Sequence, residues 1–442
     1  MLKNYLKIAL RNILKNKLFS FINITGLAIG IAAFLVICLF VRQELSFDTF
    51  NRNYENIFRV AGGDNINGKA ESYALTPAPL AGALKNKFPE ITNTVRIVKS
   101  GKILVNTADK YFYEEKAFLA DPSFFKVFTF PLLAGNPATA LEEPGSVILT
   151  ESASKKYFGS SNPAGRVVKI DGKYNLKVTG MMKDVPVNSH FHFDFLISMP
   201  TAEYLYGKDF FVNTFNTTVY TYFTVNNVSS INILQKKLPD FLKEYYGGIY
   251  DAFKPSFAFQ PLKDIHLYSN ILPELEPNGD ITYVYLFSGV GLLILLMACI
   301  NYTNILTVRY AGRLKEIGVR KVLGADRAQL IKQFIGESII ITIISAVLAL
   351  VLLELFLPEV YSIIDRPLQI GWNNAFELIL MISTVTLFVG IISGCYPAFF
   401  VSVFNPSQLF GKFTGKGYSK LSITKYLVLL QFTVSTILII ST

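Results

Sequence analysis

The sequence predicts an α-helical membrane protein that carries a large mixed α+β domain. Three observations lead there. Apolar runs longer than the ~20 residues needed to cross a hydrocarbon core lie at residues 19–41, 282–308, 329–357 and 372–400, and a further run begins at 426 and is still apolar at Thr442. Only 17% of the 442 residues are charged, below the roughly 25% usual in soluble domains, and the mean hydropathy is +0.38. Residues 43–279 differ in kind, being polar, turn-rich and mixed in pattern. The expected fold is therefore four complete transmembrane helices and the start of a fifth, with a large extracytoplasmic α+β domain between helices 1 and 2.

The chain opens, over residues 1–18, on an amphipathic basic helix. Leu2, Tyr5, Leu6, Ala9, Leu10 and Ile13 share one face, and Lys3, Lys7, Arg11 and Lys15 recur every four residues on another. Such a helix lies in the membrane interface with its apolar face down. A signal-peptide n-region is the alternative. Against it, the apolar run at 19–41 is long for an h-region, and it is followed by Arg42, Gln43 and Glu44 rather than by a small-residue cleavage site. This run is read as the first membrane helix, with Gly26 and Gly30 spaced as a helix-packing pair.

Within residues 43–279, strands are expected at 57–61, 103–105, 147–150, 167–170 and 176–179, and short helices at 77–88 and 151–158. Gly62-Gly63, Asn67-Gly68, Pro144-Gly145 and Asp171-Gly172 supply turns, and Asp171-Gly172 gives the clearest hairpin. Two subdomains are expected, the second roughly at residues 135–256, with a break near 131–144 and a return to the first part around 257–266.

The second membrane helix, 282–308, is longer than a bilayer core requires, and Tyr283, Tyr285 and Phe287 at one end suit an aromatic belt. Residues 309–327 form a basic loop patterned as a short amphipathic helix. Glu316 and Arg320 stand at i,i+4 with the acid first, Gly324 suits the residue after a helix end, and Asp326 with Gln329 suits a capping box for the next helix. An ordinary cytoplasmic loop marking topology is the plainer reading. The third membrane helix follows at 329–357, then a short external loop at 358–371, the fourth helix at 372–400 with Gly390 and Gly394, and a polar linker at 401–425 bearing Lys412, Lys416, Lys420 and Lys425. The basic N-terminal segment, 309–327 loop and 401–425 linker belong on the cytoplasmic side; the loop at 358–371 and the domain at 43–279 then lie outside.

The net charge of +10 does not imply nucleic acid, since basic residues in a membrane protein gather on one side of the bilayer. Cys38, Cys299 and Cys395 all sit in apolar runs, without disulfide or metal-type spacing. Gly63-x-x-x-x-Gly68-Lys69 has the outline of a phosphate loop, but Ala70 replaces the Ser or Thr that holds magnesium, so a hairpin turn is the better reading. His190 and His192 on a strand would aim both rings one way, with Asp194 continuing that face; a third ligand is not evident, and a structural pair is the plainer alternative. Glu337, near the inner end of the third helix, is an ionisable residue where such residues are often functional, although solvent or a basic neighbour lies within reach there. Asn301 and Asn304 suit interhelical hydrogen bonds. The sequence carries no recognisable catalytic constellation.

The segment RLKEIGVRKVLGA at 313–325 strongly resembles the signature of ABC-transporter permeases of the FtsX/MacB type. Ser46-Phe-Asp-Thr-Phe50, Pro131-Leu-Leu-Ala-Gly135, the stretch from Leu149 through Gly159, Asp184-Val-Pro-Val-Asn-Ser-His190 and Pro261-Leu-Lys-Asp-Ile-His-Leu267 resemble that family's external core domain. Cys299-Ile-Asn-Tyr302 and Gly394-Cys-Tyr-Pro-Ala398 resemble its membrane segments. The resemblance implies an inner-membrane subunit without a catalytic centre, so no cofactor is expected in the chain; ATP and magnesium belong to a separate ATP-binding subunit. It implies that Arg313, Lys315, Glu316, Ile317, Gly318, Arg320, Lys321, Leu323, Gly324 and Ala325 form the coupling helix that docks on that ATPase, with Lys3, Lys7, Arg11 and Lys15 as a second cytoplasmic contact. It further implies mechanotransmission, in which the stroke travels along the long second helix to the external domain. The fifth run repeats the basic-then-apolar arrangement of residues 15–41, which points to the first half of a two-repeat protein. Expected partners are thus an ATPase, a second permease half or an identical chain, the lipid bilayer, and a periplasmic or outer-membrane protein. Efflux or substrate extraction is the leading expectation. Activation of an external enzyme such as a cell-wall hydrolase is the alternative, and an enzyme or receptor domain on a membrane anchor is the third.

Overall fold

The computed structural model describes residues 11, 17–66, 69–107, 110–159, 162–364, 375–403 and 422–441. In chain order its longer helices are α1 (Lys17–Leu45), α2 (Leu80–Lys87), α3 (Glu151–Phe158), α4 (Ser230–Tyr246), α5 (Leu262–Tyr268), α6 (Ile281–Ala311), α7 (Leu314–Val322), α8 (Arg327–Ile364), α9 (Ala375–Val403) and α10 (Ser422–Ser441). Two compact units result: a helical one of Met1–Gln43 with Thr282–Thr442, and a sheet-bearing one of Glu44–Ile281.

In the helical unit, α1, α6, α8 and α9 are long and apolar enough to cross a membrane. A lipid interior leaves a backbone N–H no water partner, so a spanning segment must pair its own groups, as a helix does. The core of the unit repeats at intervals of three and four residues: Leu27, Ile31, Leu35 and Leu39 of α1, Leu295, Cys299, Tyr302 and Leu306 of α6, Leu330, Phe334 and Ile341 of α8, and Val385 and Val389 of α9. Both small-residue pairs stand at close helix approaches. A Cβ on Gly30 would meet that of Ala298 at 2.5 Å, and one on Gly394 would meet that of Ser338 at 2.8 Å. Hydrogen bonds between helices come from Ser338 Oγ to Gly390 O (2.9 Å) and Thr303 Oγ1 to Ser393 O (3.4 Å). Among the described residues none comes from the expected asparagines: Asn301 is exposed, and Asn304 buries an Oδ1 that accepts no hydrogen bond.

The helices outrun the apolar runs that mark them. Helix α8 continues through Pro358 to Ile364, so the first seven residues of the expected 358–371 loop are helical and the rest lie outside the described residues. Proline removes one intrahelical bond, a defect that membrane helices tolerate. Helix α1 continues to Leu45, which lets Arg42 pair with Glu377 of α9.

The sheet unit has strands β1 (Ile57–Ile66), β2 (Lys69–Tyr73), β3 (Thr76–Pro77), β4 (Ile91–Lys99), β5 (Ile103–Asn106), β6 (Tyr111–Glu114), β7 (Ala117–Ala120), β8 (Leu132–Ala134), β9 (Ser146–Thr150), β10 (Val167–Ile170), β11 (Tyr174–Met182), β12 (Phe195–Ser198), β13 (Thr217–Val225) and β14 (Ser256–Pro261). They join in the order β14-β1-β13-β4-β7-β12-β9-β11-β10-β5-β6, with β2 on β1, β3 on β13 and β8 on β11. Most neighbours are antiparallel; β7–β12 and β9–β11 are parallel. This continuous sheet crosses the break expected at 131–144. The chain instead leaves the β1–β4 end after Lys99 and returns with β13 at Thr217, earlier than the return expected at 257–266. Phe58, Phe223, Leu234 and Phe259 fill one core, and Val105, Leu149, Val168 and Phe195 fill another. An aromatic cluster of Phe118, Phe124, Phe128, Phe130, Phe191, Phe193 and Tyr222 joins strands β7 and β13 to the segments around 124–130 and 191–193.

Local chemistry accounts for several joints. Asp171 and Gly172 take φ of 51° and 65°, the double left-handed step of a tight hairpin, between the paired residues Ile170 and Tyr174. Thr150 caps α3, its hydroxyl accepting from Ala153 N at 3.2 Å. Gly135, at φ 100°, lies so close to β11 that a Cβ would sit 2.5 Å from Thr179 O.

Candidate functional site

The basic loop folds as expected of a capped helix. Helix α7 has Glu316 in its first turn and Arg320 and Lys321 in its last, each on the side that the helix dipole favours. Gly324 follows the end at φ 92°, and Leu323 N and Ala325 N donate to Val319 O (3.0 Å) and Arg320 O (3.0 Å), satisfying carbonyls that the helix leaves open. Asp326 immediately precedes α8, and Leu330 N donates to its carbonyl at 3.3 Å.

Arg313, just before α7, and Glu316 and Arg320 within it make a closed circuit with α8. Arg313 donates from Nε to Glu316 at 3.1 Å and from Nη1 to Glu337 at 3.2 Å. Glu316 also accepts from Arg320 Nη2 at 2.7 Å, the i,i+4 pair that the sequence spacing predicts. Arg320 Nη1 donates to Gln333 Oε1 at 3.2 Å, and Gln333 Nε2 donates to Glu337 Oε1 at 3.2 Å. Glu337 is 3% exposed and Gln333 6%. Beside the circuit, Ile317 is buried among Leu330, Phe334 and Tyr310, and the rings of Tyr310 and Phe334 pack 4.4 Å apart.

The outward side of α7 has the opposite character. Val319, Val322 and Leu323 are 50%, 65% and 80% exposed, an apolar patch at helical spacing. Lys321 stands beside it; burial and the nearby Arg327 charge hold its pKa below the usual lysine value. Gly318 is buried and Ala325 half-buried, so they do not belong to that patch. Of the coupling residues expected from sequence, Arg313, Glu316 and Arg320 meet in the circuit, Ile317 is core, and Leu323 is surface. The side chain of Lys315 lies outside the described residues, as do Lys3, Lys7 and Lys15; Arg11 is helical and exposed. Gln333 was missed, although its place one turn before Glu337 was a usable signal.

Elsewhere the expected sites resolve into structural pairs. His190 and His192 lie in a loop before β12, not on a strand, and each has its own carboxylate. His190 bonds Asp48 through Nδ1 and the Tyr222 hydroxyl through Nε2, both at 2.8 Å. His192 bonds Glu276 through Nδ1 at 2.8 Å. Asp194 meets Thr150 instead, at 3.4 Å, and burial lifts its carboxyl above the ordinary range. The third histidine, His266, bonds Glu44 at 2.8 Å and stacks on Phe47. Among the described residues, no group of three His, Cys, Asp or Glu is placed to hold a metal. Residues 63–66 belong to β1 and Lys69 opens β2, the two strands pairing antiparallel with Ile66 opposite Lys69; Asn67 and Gly68 lie outside the described residues.

Apolar helices long enough to span a bilayer, a basic surface helix between two of them and a separate mixed α+β unit define a membrane protein that also carries a folded α+β domain. Comparison narrows the class. Residues 20–241 match the MacB-like periplasmic core domain, and residues 288–406 match the FtsX-like permease C-terminal. The chain belongs to the family of FtsX/MacB-type ABC permeases. It is 24% identical over 415 residues to the macrolide export ATP-binding/permease protein MacB of Neisseria meningitidis serogroup A, which covers 90% of this chain and 59% of that protein. It is 23% identical over 255 residues to the uncharacterized ABC transporter permease YknZ of Bacillus subtilis, covering 57% of each. The chain thus spans 59% or less of these curated relatives. Among solved structures, the periplasmic region of MacB from Actinobacillus actinomycetemcomitans aligns with a TM-score of 0.34 at 20% identity, over 48% of this chain and 94% of that one.

Proposed function

We propose that this chain is the permease subunit of an ABC transporter and that α7 is its coupling helix. ATP and magnesium bind a separate cytoplasmic subunit, which docks on the outward side of α7. Its closure moves α7, and the membrane helices carry that motion to the Glu44–Ile281 unit on the far side of the bilayer. Work is thereby done outside the membrane, in efflux or in extraction of a substrate. The N-terminus and the 401–425 linker share the cytoplasmic side with α7, and a second permease half or an identical chain completes the assembly.

The observation that carries this reading is the two-sided character of α7. A helix that merely marks topology has no need to expose Val319, Val322 and Leu323 while Arg313 and Arg320 reach to α8. An apolar patch rimmed by basic residues suits a protein partner. The MacB relative, whose name joins ATP-binding and permease functions, supports the pairing with an ATPase.

The test is purification of the full chain in mild detergent from its native host. An ATP-binding subunit should co-purify. The double variant V319D/L323D should retain it at least about tenfold less well, since each buried apolar side chain contributes roughly 1.5–3 kcal/mol and each 1.4 kcal/mol is a factor of ten. An ATPase held equally by the parent and the variant would show that α7 is not its docking site.

A further inference from the structure

Four residues tie α7 to α8, and two of them, Gln333 and Glu337, belong to neither the docking face nor the loop. We infer that Gln333 and Glu337 are positioning residues of the coupling stroke: with Arg313 and Arg320 they clamp α7 onto the inner end of α8, so that the two move as one lever and a push on α7 passes directly into α8.

The geometry is that of a two-point attachment. Arg313 and Arg320 are seven residues apart, about 10 Å along a helix, and their acceptors Glu337 and Gln333 are four apart, about 6 Å. One contact leaves a helix free to pivot; two contacts at separate levels fix both its tilt and its rotation. Glu316 lies between the arginines and bonds both, and Gln333 bonds Glu337, so each member of the circuit is held by two others. Burial favours persistence. With Glu337 3% exposed and Gln333 6% exposed, opening the circuit would strand a carboxylate and an amide away from water. Arginine suits this task because its planar guanidinium reaches two acceptors at once, here Glu316 and Glu337 for Arg313, and Glu316 and Gln333 for Arg320. Ile317, set in the core between these polar contacts, adds a third, apolar point of attachment.

The joints agree. The α6–α7 joint contains Gly312, which permits the widest backbone freedom, and is held by the turn bonds Gly312 N to Val308 O (3.3 Å) and Arg313 N to Tyr310 O (3.0 Å). The α7–α8 joint contains Gly324, but the clamp bridges it with side chains. The sequence reading sends the stroke along the second membrane helix; the clamp gives it to the third.

The functional half of this inference rests on the docking role of α7, whereas the mechanical half does not, and the experiment separates them. Cys38, Cys299 and Cys395 are replaced by alanine, and spin labels are placed at the exposed Val322 of α7 and the exposed Val347 of α8 in the full chain in lipid nanodiscs, without ATPase. The parent should give one narrow distance distribution. R320A and E337A should each broaden it, R320A/E337A most, while K332A, at an exposed position outside the circuit, should leave it unchanged. E337Q keeps a hydrogen-bonding amide in place and should restore the narrow distribution in part. A narrow distribution in R320A/E337A overturns the clamp. In the native host, E337A should retain the co-purifying ATPase as the parent does, yet lose at least tenfold of the ATP-dependent change in proteolysis of the Glu44–Ile281 unit. If E337A instead releases the ATPase as V319D/L323D does, the residue serves docking and the positioning role is wrong. If no ATPase accompanies the parent, the proposed function fails while the distance measurement still decides the clamp.

Discussion

At the scale of single residues, the sheet unit is fixed by polar groups that only their partners make tolerable. Arg59 is fully buried in β1, where its guanidinium meets Glu274 at both oxygens, Gln260 at 2.7 Å and Ser269 at 3.0 Å. Burial works against the arginine charge, and the interactions with Glu274 and Tyr222 together outweigh it. Removing one partner of such a pair leaves the other charged and dry, so E274A should destabilise the unit by roughly 3–5 kcal/mol, read as a fall in its melting temperature. An unchanged melt would mean that water reaches Arg59. The nearby Glu276 carries a pH dependence. Burial pushes its carboxyl up, but the hydrogen bond and charge of His192 more than offset this and hold it below the usual glutamate range. A carboxyl depressed in the folded state contributes stability above its unfolded pKa, near 4.3, and loses it as pH falls through the folded value. E276Q should therefore weaken the unit at neutral pH and flatten its acid limb below about pH 4.5; an acid limb as steep as the parent's would exclude Glu276 as a source. These pairings were not legible in the sequence. Asp48 and His190 are 142 residues apart, and Glu276 and His192 are 84 apart, so no local spacing announces them. The sequence offered only His190 and His192 as neighbours, read as a metal pair or, more plainly, as a structural pair, and could not show that each has its own carboxylate.

At the scale of elements, legibility follows the distance over which an element is decided. The Asp171-Gly172 hairpin, the short helix at 151–158 and the Gly324 helix end are each settled within a few residues, and each stands where the sequence placed it. Strands β4, β7, β12 and β13 were not expected. They lie inside a sheet whose parallel pairs, β7–β12 and β9–β11, join residues dozens of positions apart, and buried strands lose the polar–apolar alternation that marks an exposed one. Helix α4, which carries Pro239 in its interior, was not expected either. The Pro131-Leu-Leu-Ala-Gly135 motif acquires a physical reason. Strand β8 must approach β11 closely, and Gly135 and Gly180 face each other's strands with no room for a side chain: an added Cβ would meet Thr179 O at 2.5 Å or Ala134 O at 2.9 Å. G135A adds a left-handed backbone penalty of about 1–2 kcal/mol to that clash. The expected result is loss of at least 2 kcal/mol, seen as a melting temperature lower by roughly 4–8 °C for a unit of this size. A variant melting within about 1 °C of the parent would mean that β8 simply moves aside, and that the glycine is dispensable.

At the scale of the whole molecule, the sequence made the two kinds of structure legible because lipid and water impose different patterns. Uninterrupted apolar runs mark the helices, and turns with mixed polarity mark the sheet unit. The sequence could not reveal how the sheet unit is closed where the chain passes in and out of it. Glu44 lies in the last turn of α1 with Phe47 and Asp48 just after it, and His266, Glu276 and Gly279 precede α6. His266 joins the two segments by its bond to Glu44 and its stacking on Phe47, and a Cβ on Gly279 would lie 2.6 Å from the Glu44 carboxylate and 2.9 Å from His266 Nε2. His190 and His192 fasten the same region through Asp48 and Glu276, so all three histidines of the chain are spent on it. A unit whose two chain ends are bound to each other, and whose sheet and cores are internal, needs no membrane helix to define its fold. The fragment of residues 44–281 should therefore be soluble and should melt in one cooperative step when produced alone. H266A would leave the Glu44 carboxylate, 9% exposed at its side chain, without that partner, and should lower the melt by about 5 °C, from a loss of roughly 1–3 kcal/mol. H266N, which keeps a side-chain donor, should recover part of that loss. A fragment that stays unfolded would mean that the helices template the domain; a fragment that folds but is indifferent to H266A would place the closure elsewhere.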